Sequence, residues 1–294
     1  MLRHTLLRFH SSSTATVLSP RLTVIVLPFS KDNYAFAAAS ETADVGFLVD
    51  PGSPGVAEGA LAAAGKEGWS IKEWLVLLTH GHPDHVGGLD EAMQELPGAR
   101  LVHDEGRTLP AATLAQVPAA RRLLLPTDEP VSVDGTGVTL RAIETPFHTD
   151  HCRSYHLHDA EPSSPGAVFS GDSLFSGGAG RFPQLEARTA LASLDRLSAL
   201  PDDTALFCGH EYSLTNWAFA QSLEPDNGRL TEAATRAAGR RDRHLPTIPV
   251  RLGDERANNP FLRARERSLA KRLGFLEPDP VAVLADIRAR KDAF

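Results

Sequence analysis

The pattern of apolar and polar residues predicts short strands that alternate with helices. Runs of β-branched and aromatic residues bounded by Pro, Gly and Asp predict strands, and apolar residues three or four positions apart predict helices. The predicted strands are Thr23–Pro28, Tyr34–Ala39, Val45–Asp50, Trp74–Leu78, Arg100–His103, Val131–Val133, Val138–Glu144, Ser154–His158, Ala167–Ser170 and Thr204–Cys208. The predicted helices are Val56–Ala64, Leu89–Leu96, Leu185–Leu200, Tyr212–Leu223, Arg229–Arg243, Ala264–Leu273 and Pro280–Lys291.

The order of these elements indicates a fold of the α/β class. Two β-rich halves, each bordered by helices, are typical of a layered sandwich. From Arg229 onward the pattern is mainly helical. We therefore expect a catalytic domain over residues 23–226 and a helical domain over residues 227–294.

The first 22 residues differ in composition from the rest of the chain. They are basic and rich in serine and threonine, and no acidic residue occurs before Asp32. This composition is typical of a transit peptide. We therefore expect a mitochondrial targeting leader over residues 1–22, with a plastid leader, a cytoplasmic location or a merely frayed terminus as alternatives.

Composition and charge exclude several other classes of protein. The chain has 294 residues, of which 42% are hydrophobic, and its two cysteines cannot form a disulfide framework. It has no apolar run of about 18 residues that would span a membrane. Residues 227–294 carry 15 Lys and Arg against 9 Asp and Glu, whereas the whole chain has a net charge of -7. A chain with this net negative charge is a poor partner for nucleic acid. The basic C-terminal part either binds a small anionic ligand or forms a solvated surface.

A cluster of histidine and aspartate follows the apolar strand Trp74–Leu78. Residues 79–88 read THGHPDHVGG and place His80, His82, Asp84 and His85 within six positions. A loop after a strand end lets near neighbours in sequence point into one cavity. Imidazole nitrogens suit zinc, iron or manganese, and a carboxylate adds negative charge for a second ion. The segment therefore indicates a metal site rather than a polar surface loop.

Three further candidate ligands occur where predicted strands end. His148 lies in the segment TPFHT, Asp172 in GDSLF and His210 in CGHEY. Each alone is a weak indication, because a single His or Asp after a strand commonly has a structural role. Together with the first cluster they supply five histidines and two aspartates at strand ends, which favours a site for two metal ions.

The chain resembles the metallo-β-lactamase superfamily in the four segments THGHPDH, TPFHT, GDSLF and CGHEY. Within that superfamily it is similar to glyoxalase II, the hydroxyacylglutathione hydrolases. The resemblance extends to NNPFLR at residues 258–263 and RARKDAF at residues 288–294, and so covers nearly all of the chain after the leader. It implies an αββα sandwich, a C-terminal helical domain that helps to bind glutathione, and a role in methylglyoxal detoxification.

The resemblance implies a centre of two divalent metal ions. It assigns the first ion to His80, His82 and His148, the second to Asp84, His85 and His210, and the bridging carboxylate to Asp172. We expect zinc, although these ligands also suit iron and manganese. Two dications about 3.5–4 Å apart lower the pKa of a bridging water towards neutrality, so that a metal-bridged hydroxide attacks the thioester carbonyl. Asp84 is also a candidate for orienting this nucleophile, and we take Asp84 and Asp172 as the catalytic residues.

The substrate implied by the resemblance is S-D-lactoylglutathione, which is hydrolysed to D-lactate and glutathione. The resemblance assigns its binding to Arg181, Tyr212, Arg288 and Lys291. Arg288 and Lys291 lie three positions apart on the last predicted helix, so they face the same way and suit the carboxylates of glutathione. We expect a monomer whose partner is this small-molecule glutathione thioester, with neither nucleic acid nor membrane as a partner.

Two positions depart from the family's pattern. Pro183 follows Phe182 where many relatives have a tyrosine that contacts glutathione. His151 stands one residue earlier than the usual downstream histidine and leaves Cys152 in its place, so either residue is a candidate for competing as a ligand. Both departures concern substrate affinity rather than the seven metal ligands.

The other cysteine and four of the remaining histidines are expected to be structural. Cys208 is expected to pack as a small apolar residue. The four histidines are His103, His156, His158 and His244.

Other functions on the same fold remain as alternatives. A mononuclear-iron persulfide dioxygenase shares the THxHxDH element and would also suit mitochondria. Neither that enzyme nor a β-lactamase or lactonase needs the NNPFLR segment or the pair Arg288 and Lys291. A non-catalytic binding protein would have no reason to keep all seven ligands.

Overall fold

Two β-sheets pack face to face in the structure, which is a computed structural model. It describes residues 14–39, 44–104, 109–159, 164, 166–183, 186–277 and 279–294. The first sheet contains, in spatial order, β1 (Thr14–Ser19), β2 (Leu22–Phe29), β3 (Asn33–Ala39), β4 (Val45–Val49), β5 (Glu73–Leu77), β6 (Arg100–Asp104) and β7 (Arg122–Leu125). Strands β1 to β4 pair antiparallel, and β4 to β7 pair parallel.

The second sheet has six strands, and a two-stranded hairpin lies beside it. Its strands are β8 (Pro130–Val133), β9 (Val138–Glu144), β10 (Arg153–Asp159), β11 (Ala167–Gly171), β14 (Ala205–Cys208) and β15 (Val250–Arg251), in that spatial order. The hairpin consists of β12 (Leu174–Phe175) and β13 (Gly178–Ala179). All neighbours pair antiparallel except β11 and β14, which are parallel and therefore end at the same edge.

Helices cover the outer faces of both sheets. They are α1 (Val56–Lys66), α2 (Pro83–Val86), α3 (Leu89–Glu95), α4 (Ala111–Ala115), α5 (Ala187–Ser198), α6 (Ser213–Leu223), α7 (Gly228–Arg241), α8 (Leu252–Asn258), α9 (Arg267–Arg272) and α10 (Pro280–Ala293). Helices α1 and α3 bury alanine and leucine side chains against the first sheet. Helices α5 and α10 share one apolar cluster with the second sheet. None of the helices in the described ranges has the length and apolar character needed to cross a membrane.

The core between the sheets is built around aromatic side chains. Phe36 of the first sheet contacts Phe169 and Phe207 of the second, with ring centroids 5.2 and 5.5 Å apart. All three side chains are fully buried. The layers are therefore helix, sheet, sheet and helix, and the expected αββα sandwich with a C-terminal helical region is confirmed.

Every strand and helix predicted from the sequence is present, with its ends within three residues of the predicted ones. Leu185, the predicted start of one helix, lies outside the described residues, and that helix is described from Ala187. The sequence pattern missed β7, α8 and several shorter elements, which have too few residues for a detectable period.

The N-terminal prediction needs a correction over residues 14–22. Thr14–Ser19, which we assigned to the leader, forms the edge strand β1 and pairs antiparallel with β2. Its residues alternate between partly buried and exposed, as an edge strand requires, but its Ser and Thr content suited a leader equally well. Residues 1–13 of the expected leader lie outside the described residues.

Candidate metal centre and active site

All seven predicted metal ligands meet at one edge of the sandwich. His80 and His82 lie in the loop after β5, and the short helix α2 that follows carries Asp84 and His85. The other three come from the second sheet and follow β9, β11 and β14; they are His148, Asp172 and His210. The site therefore joins the ends of strands from both sheets.

Three imidazole nitrogens form the first group of ligand atoms. The distance from His80 Nε2 to His82 Nδ1 is 3.0 Å, and that from His148 Nε2 to His82 Nδ1 is 3.2 Å. In a tetrahedral zinc site with Zn–N bonds of about 2.0–2.1 Å, ligand atoms lie about 3.3 Å apart. The spacing of the three nitrogens is therefore that of a metal site.

The second group consists of Asp84, His85 and His210. The two Nε2 atoms of His85 and His210 lie 3.3 Å apart. Asp84 Oδ2 lies 3.4 Å from His210 Nε2 and 3.8 Å from His85 Nε2. These three atoms converge in the same way as those of the first group.

Asp172 lies between the two groups and presents one oxygen to each. Its Oδ1 lies 3.4 Å from the Nε2 atoms of both His85 and His210. Its Oδ2 lies 3.6 Å from Nε2 of His148. This carboxylate has the position that a bridge between two metal ions requires.

The chemistry of the ligand atoms fits two divalent cations. Asp172 Oδ1 is buried and has no hydrogen-bond partner among the described residues. Burial of a charged oxygen is costly unless a partner compensates the charge, and a bound cation would provide that compensation. Five imidazoles and two carboxylates supply only nitrogen and oxygen ligands, the set found in dinuclear zinc, iron and manganese sites.

The electrostatics around the ligands also favour bound cations. Burial would lower the pKa of His85, but the carboxylates of Asp50, Asp172 and Asp84 raise it to about 9. Burial and the neighbouring histidines lower the pKa of His80 well below its usual value. The acidic groups therefore attract positive charge to His85, while burial and the neighbouring imidazoles disfavour a proton on His80.

A set of hydrogen bonds that the sequence analysis missed orients the first sheet's histidines. Asp50 Oδ2 accepts hydrogen bonds from His85 Nδ1 at 2.9 Å and from Thr79 Oγ1 at 2.7 Å. Thr79 Oγ1 in turn lies 3.2 Å from His80 Nδ1, which donates to it. Because each Nδ1 carries the proton, each Nε2 keeps a free lone pair for a metal.

Two histidines of the second sheet are oriented similarly. His210 Nδ1 donates to Asp32 Oδ1 at 3.1 Å, and His148 Nδ1 donates to the carbonyl oxygen of Arg181, also at 3.1 Å. The sequence pattern gave no sign of these partners, because strand pairing brings them to the site. Asp50 follows β4, which is parallel to β5, so it had to lie beside the start of the THGH loop.

The four predicted substrate residues lie around α6 and the hairpin β12–β13. The Tyr212 ring stacks on His210, with centroids 4.8 Å apart and planes 5° apart, and burial raises the pKa of its hydroxyl to about 12. Arg288 Nη1 donates to Ala179 O in β13, and Lys291 Nζ donates to Thr215 O in α6.

The third cation, Arg181, has an exposed side chain beside this pair. Its Nε lies 3.3 Å from Asp292 Oδ1, and Arg288 Nη2 lies 2.8 Å from the same oxygen. Arg181 and Arg288 therefore share one carboxylate, Tyr212 contacts the candidate ligand His210, and Lys291 contacts α6.

The residues that depart from the family's pattern are not among the possible ligand groups. Within the described ranges, those groups contain neither His151 nor Cys152. Burial raises the pKa of Cys152 to about 11, and its Sγ accepts a hydrogen bond from Thr149 N at 3.2 Å. Phe182 packs in the core against Phe147, so its side chain has a structural role.

The residues expected to be structural also lie outside the ligand groups of the described chain. Those groups include none of His103, His156, His158 and His244. Cys208 is fully buried in the core between the sheets, as predicted.

Comparison with known proteins identifies the family. The family model for the metallo-beta-lactamase superfamily matches residues 39–210, and that for the hydroxyacylglutathione hydrolase C-terminus matches residues 211–294. The hydroxyacylglutathione hydrolase of Alkalilimnicola ehrlichii is 37% identical over 92% of this chain and 98% of its own length. That of Cereibacter sphaeroides is 38% identical over 93% of this chain and 99% of its own length.

Solved structures show the same fold. A metallo-beta-lactamase from Staphylococcus aureus superposes with a TM-score of 0.57 at 19% identity, covering 87% of this chain and 68% of the other. At that identity the likeness concerns the fold alone. Together, the sandwich, the convergent ligands and the full-length relatives show that the chain belongs to the hydroxyacylglutathione hydrolases, a family of the metallo-β-lactamase superfamily.

Proposed function

We propose that the protein hydrolyses S-D-lactoylglutathione to D-lactate and glutathione. The observation that carries this proposal is the convergence of two three-residue ligand groups on the two oxygens of Asp172. The match of residues 211–294 to the C-terminal family model favours this thioester hydrolase over a persulfide dioxygenase.

The proposed reaction needs a nucleophile and a stabilised oxyanion. Two divalent ions, when bound, make a water molecule acidic enough to attack near neutral pH and stabilise negative charge on the thioester oxygen. His80, His82 and His148 would hold the first ion, and Asp84, His85 and His210 the second, with Asp172 shared. We propose zinc, which nitrogen and oxygen ligands of this kind bind well.

Asp84 is suited to a second task, the orientation of the attacking water. Burial raises the pKa of its carboxyl, but the hydrogen bond from Asn33 and the charge of His85 outweigh burial and lower it. Asn33 Nδ2 donates to Asp84 Oδ2 at 3.0 Å. The carboxylate therefore stays ionised and held in place, ready to accept a hydrogen bond.

The cations beside the centre are suited to glutathione. A glutathione thioester carries two carboxylates, and Arg181, Arg288 and Lys291 offer three positive groups around α10 and the hairpin β12–β13. Tyr212, whose ring is stacked on His210, adds a hydroxyl. We propose that these four residues bind the glutathione part while the acyl group points to the metals.

The test combines thiol release with metal analysis. Purified protein should contain close to two metal ions per chain and should release thiol from S-D-lactoylglutathione without oxygen uptake. His82→Ala and Asp172→Ala should each abolish turnover and lower the metal content. His158→Ala, a histidine outside the site, is the matched control and should change neither. Oxygen uptake with a persulfide, or full activity in His82→Ala, would contradict the proposal.

We also propose that a mitochondrial targeting leader precedes Thr14, the first residue of β1. The support is the absence of acidic residues before Asp32 and the incorporation of Thr14–Ser19 into the sheet. The test is N-terminal sequencing of the mature protein recovered from mitochondria. A mature N-terminus after Ser19 would contradict the proposed boundary.

We further propose that the protein is a monomer. A mass measurement in solution should give the mass of one chain.

A further inference from the structure

One carboxylate lies among the three cations proposed to bind glutathione. Asp292, in the last turn of α10, presents its Oδ1 to Arg288 Nη2 at 2.8 Å and to Arg181 Nε at 3.3 Å. The two arginines come from different parts of the chain, since Arg288 lies in α10 and Arg181 follows β13. A single oxygen atom therefore pairs with one residue of the last helix and with one residue of the loop at the metal centre.

The physics of the helix gives no reason for an acidic residue at this position. A negative charge in the last turn is disfavoured by the helix dipole. An acidic residue four positions after its basic partner is also the less favourable order for a helical ion pair. Asp286 and Arg290, on the same helix, have the favourable order and a distance of 2.7 Å between Oδ2 and Nε.

Arg288, in contrast, needs this carboxylate. The Arg288 side chain is 7% exposed, and burial together with the charge of Arg181 lowers its pKa. Its Nη1 donates to Ala179 O, and its Nε is buried without a hydrogen-bond partner among the described residues. Asp292 is the acidic group that compensates Arg288, and it fixes the direction of the guanidinium.

The connection reaches a metal ligand through Arg181. The carbonyl oxygen of Arg181 accepts the hydrogen bond from His148 Nδ1 at 3.1 Å, while its guanidinium pairs with Asp292. Resting on the proposed function, we propose that Asp292 is a positioning residue that aligns Arg288 and Arg181 with the metal centre for binding of the glutathione carboxylates.

The test separates binding from chemistry in Asp292→Asn. This variant keeps the shape of the side chain but loses its charge, so both guanidiniums lose their anionic partner. KM for S-D-lactoylglutathione should rise roughly three- to tenfold, the range expected for a partly exposed ion pair shared by two arginines. The kcat value and the metal content should stay within about twofold of the parent enzyme.

Two controls distinguish alignment from a general effect on the helix. Asp286→Asn removes the same charge from the same helix and should leave KM unchanged. A lactoyl thioester of N-acetylcysteamine has no carboxylate, so Asp292→Asn should hydrolyse it with the same kcat/KM as the parent. Asp292→Glu, which restores the charge, should recover most of the affinity.

Each outcome bears on a different statement. An unchanged KM in Asp292→Asn, or an equal loss with the carboxylate-free thioester or in Asp286→Asn, would overturn the role of Asp292 and leave the proposed function intact. A parent enzyme that releases no thiol from S-D-lactoylglutathione would overturn the proposed function and, with it, this role.

Discussion

Asp50 offers the sharpest test of how the metal centre is held together. Its carboxylate is 1% exposed and accepts three hydrogen bonds, from Thr79 N at 2.7 Å, Thr79 Oγ1 at 2.7 Å and His85 Nδ1 at 2.9 Å. Through Thr79 it also orients His80, so one side chain supports a ligand of each proposed metal ion. We predict that Asp50→Asn weakens metal binding although Asp50 is outside both ligand groups.

The reason is the number of acceptors that asparagine provides. The side chain of asparagine has one oxygen, which can accept a hydrogen bond either from Thr79 N or from His85 Nδ1. The amide nitrogen then faces the other of these two donors. If the nitrogen faces His85, its proton forces the imidazole proton onto Nε2, the atom that must bind the metal. If the nitrogen faces Thr79 N, two buried donors oppose each other, which is also unfavourable.

The expected loss of metal affinity is that caused by removing the hydrogen-bond partner of a metal-bound histidine. Loss of a partner that orients a metal-bound histidine costs about 10- to 100-fold in metal affinity, or about 1.4–2.7 kcal/mol. The ion held by His85 should lose this full amount, and the ion held by His80 less, because Thr79 intervenes. Asp32→Asn is the comparison: the Asp32 side chain is 30% exposed, so water can replace it at His210 and the loss should be smaller.

The assay is a titration of each variant with a zinc-selective chelator, with bound metal and thiol release followed together. Asp50→Asn should lose one of its two ions at a lower chelator concentration than the parent, and activity should fall with that ion. Two ions retained with parental affinity, together with a folded protein by circular dichroism, would refute the reasoning.

Three further predictions concern the substrate side, a buried acid and a close contact. Burial, together with the charge of Arg288, lowers the pKa of Lys291 to about 8. KM for the glutathione thioester should therefore rise as the pH passes 8, and Lys291→Arg should remove that rise. A parallel rise of KM in both proteins would contradict this role of Lys291. Burial raises the pKa of Glu255 from 4.5 to about 7, so the folded protein binds this proton more tightly than the unfolded chain. The stability contributed by this group is full below about pH 4.5 and is lost as the pH rises to about 7; Glu255→Gln should flatten that part of the Tm profile, and an unchanged slope would count against it. A Cβ at Gly209 would lie 2.8 Å from Asp172 Oδ1. Gly209→Ala should therefore displace the carboxylate of Asp172 and lower the metal content. An unchanged metal content would contradict this prediction.

The ligands themselves could be predicted because each follows the end of an apolar strand. The segments after β5, β9, β11 and β14 are short, so His80, His148, Asp172 and His210 could hardly lie far from the strand ends that precede them. The fold class followed from the same alternation of strands and helices. Local sequence was sufficient here because the site depends on chain positions that the strands fix directly.

The partners of the ligands could not be predicted in this way. Asp50 meets His85 only because β4 pairs in parallel with β5, and Asp32 meets His210 only because the β2–β3 turn reaches across to the other sheet. Those contacts depend on strand pairing and on the packing of the two sheets, which a pattern of apolar residues leaves open. The edge strand β1 was missed for a related reason, since only its pairing with β2 distinguishes it from a polar leader.

The distribution of the ligands between the sheets explains why the core matters for the site. Four ligands follow β5 in the first sheet and three follow strands of the second, so the ligand distances depend on the separation of the sheets. The buried rings of Phe36, Phe169 and Phe207 help to fill the space between the sheets: Phe36 contacts the other two across the layers, and Phe169 stacks on Phe207 within the second sheet. Because packed cores leave few voids and resist compression, they limit changes in the separation of the sheets. The aromatic core therefore supports the metal site, because each of the two ligand groups beside Asp172 combines residues from both sheets.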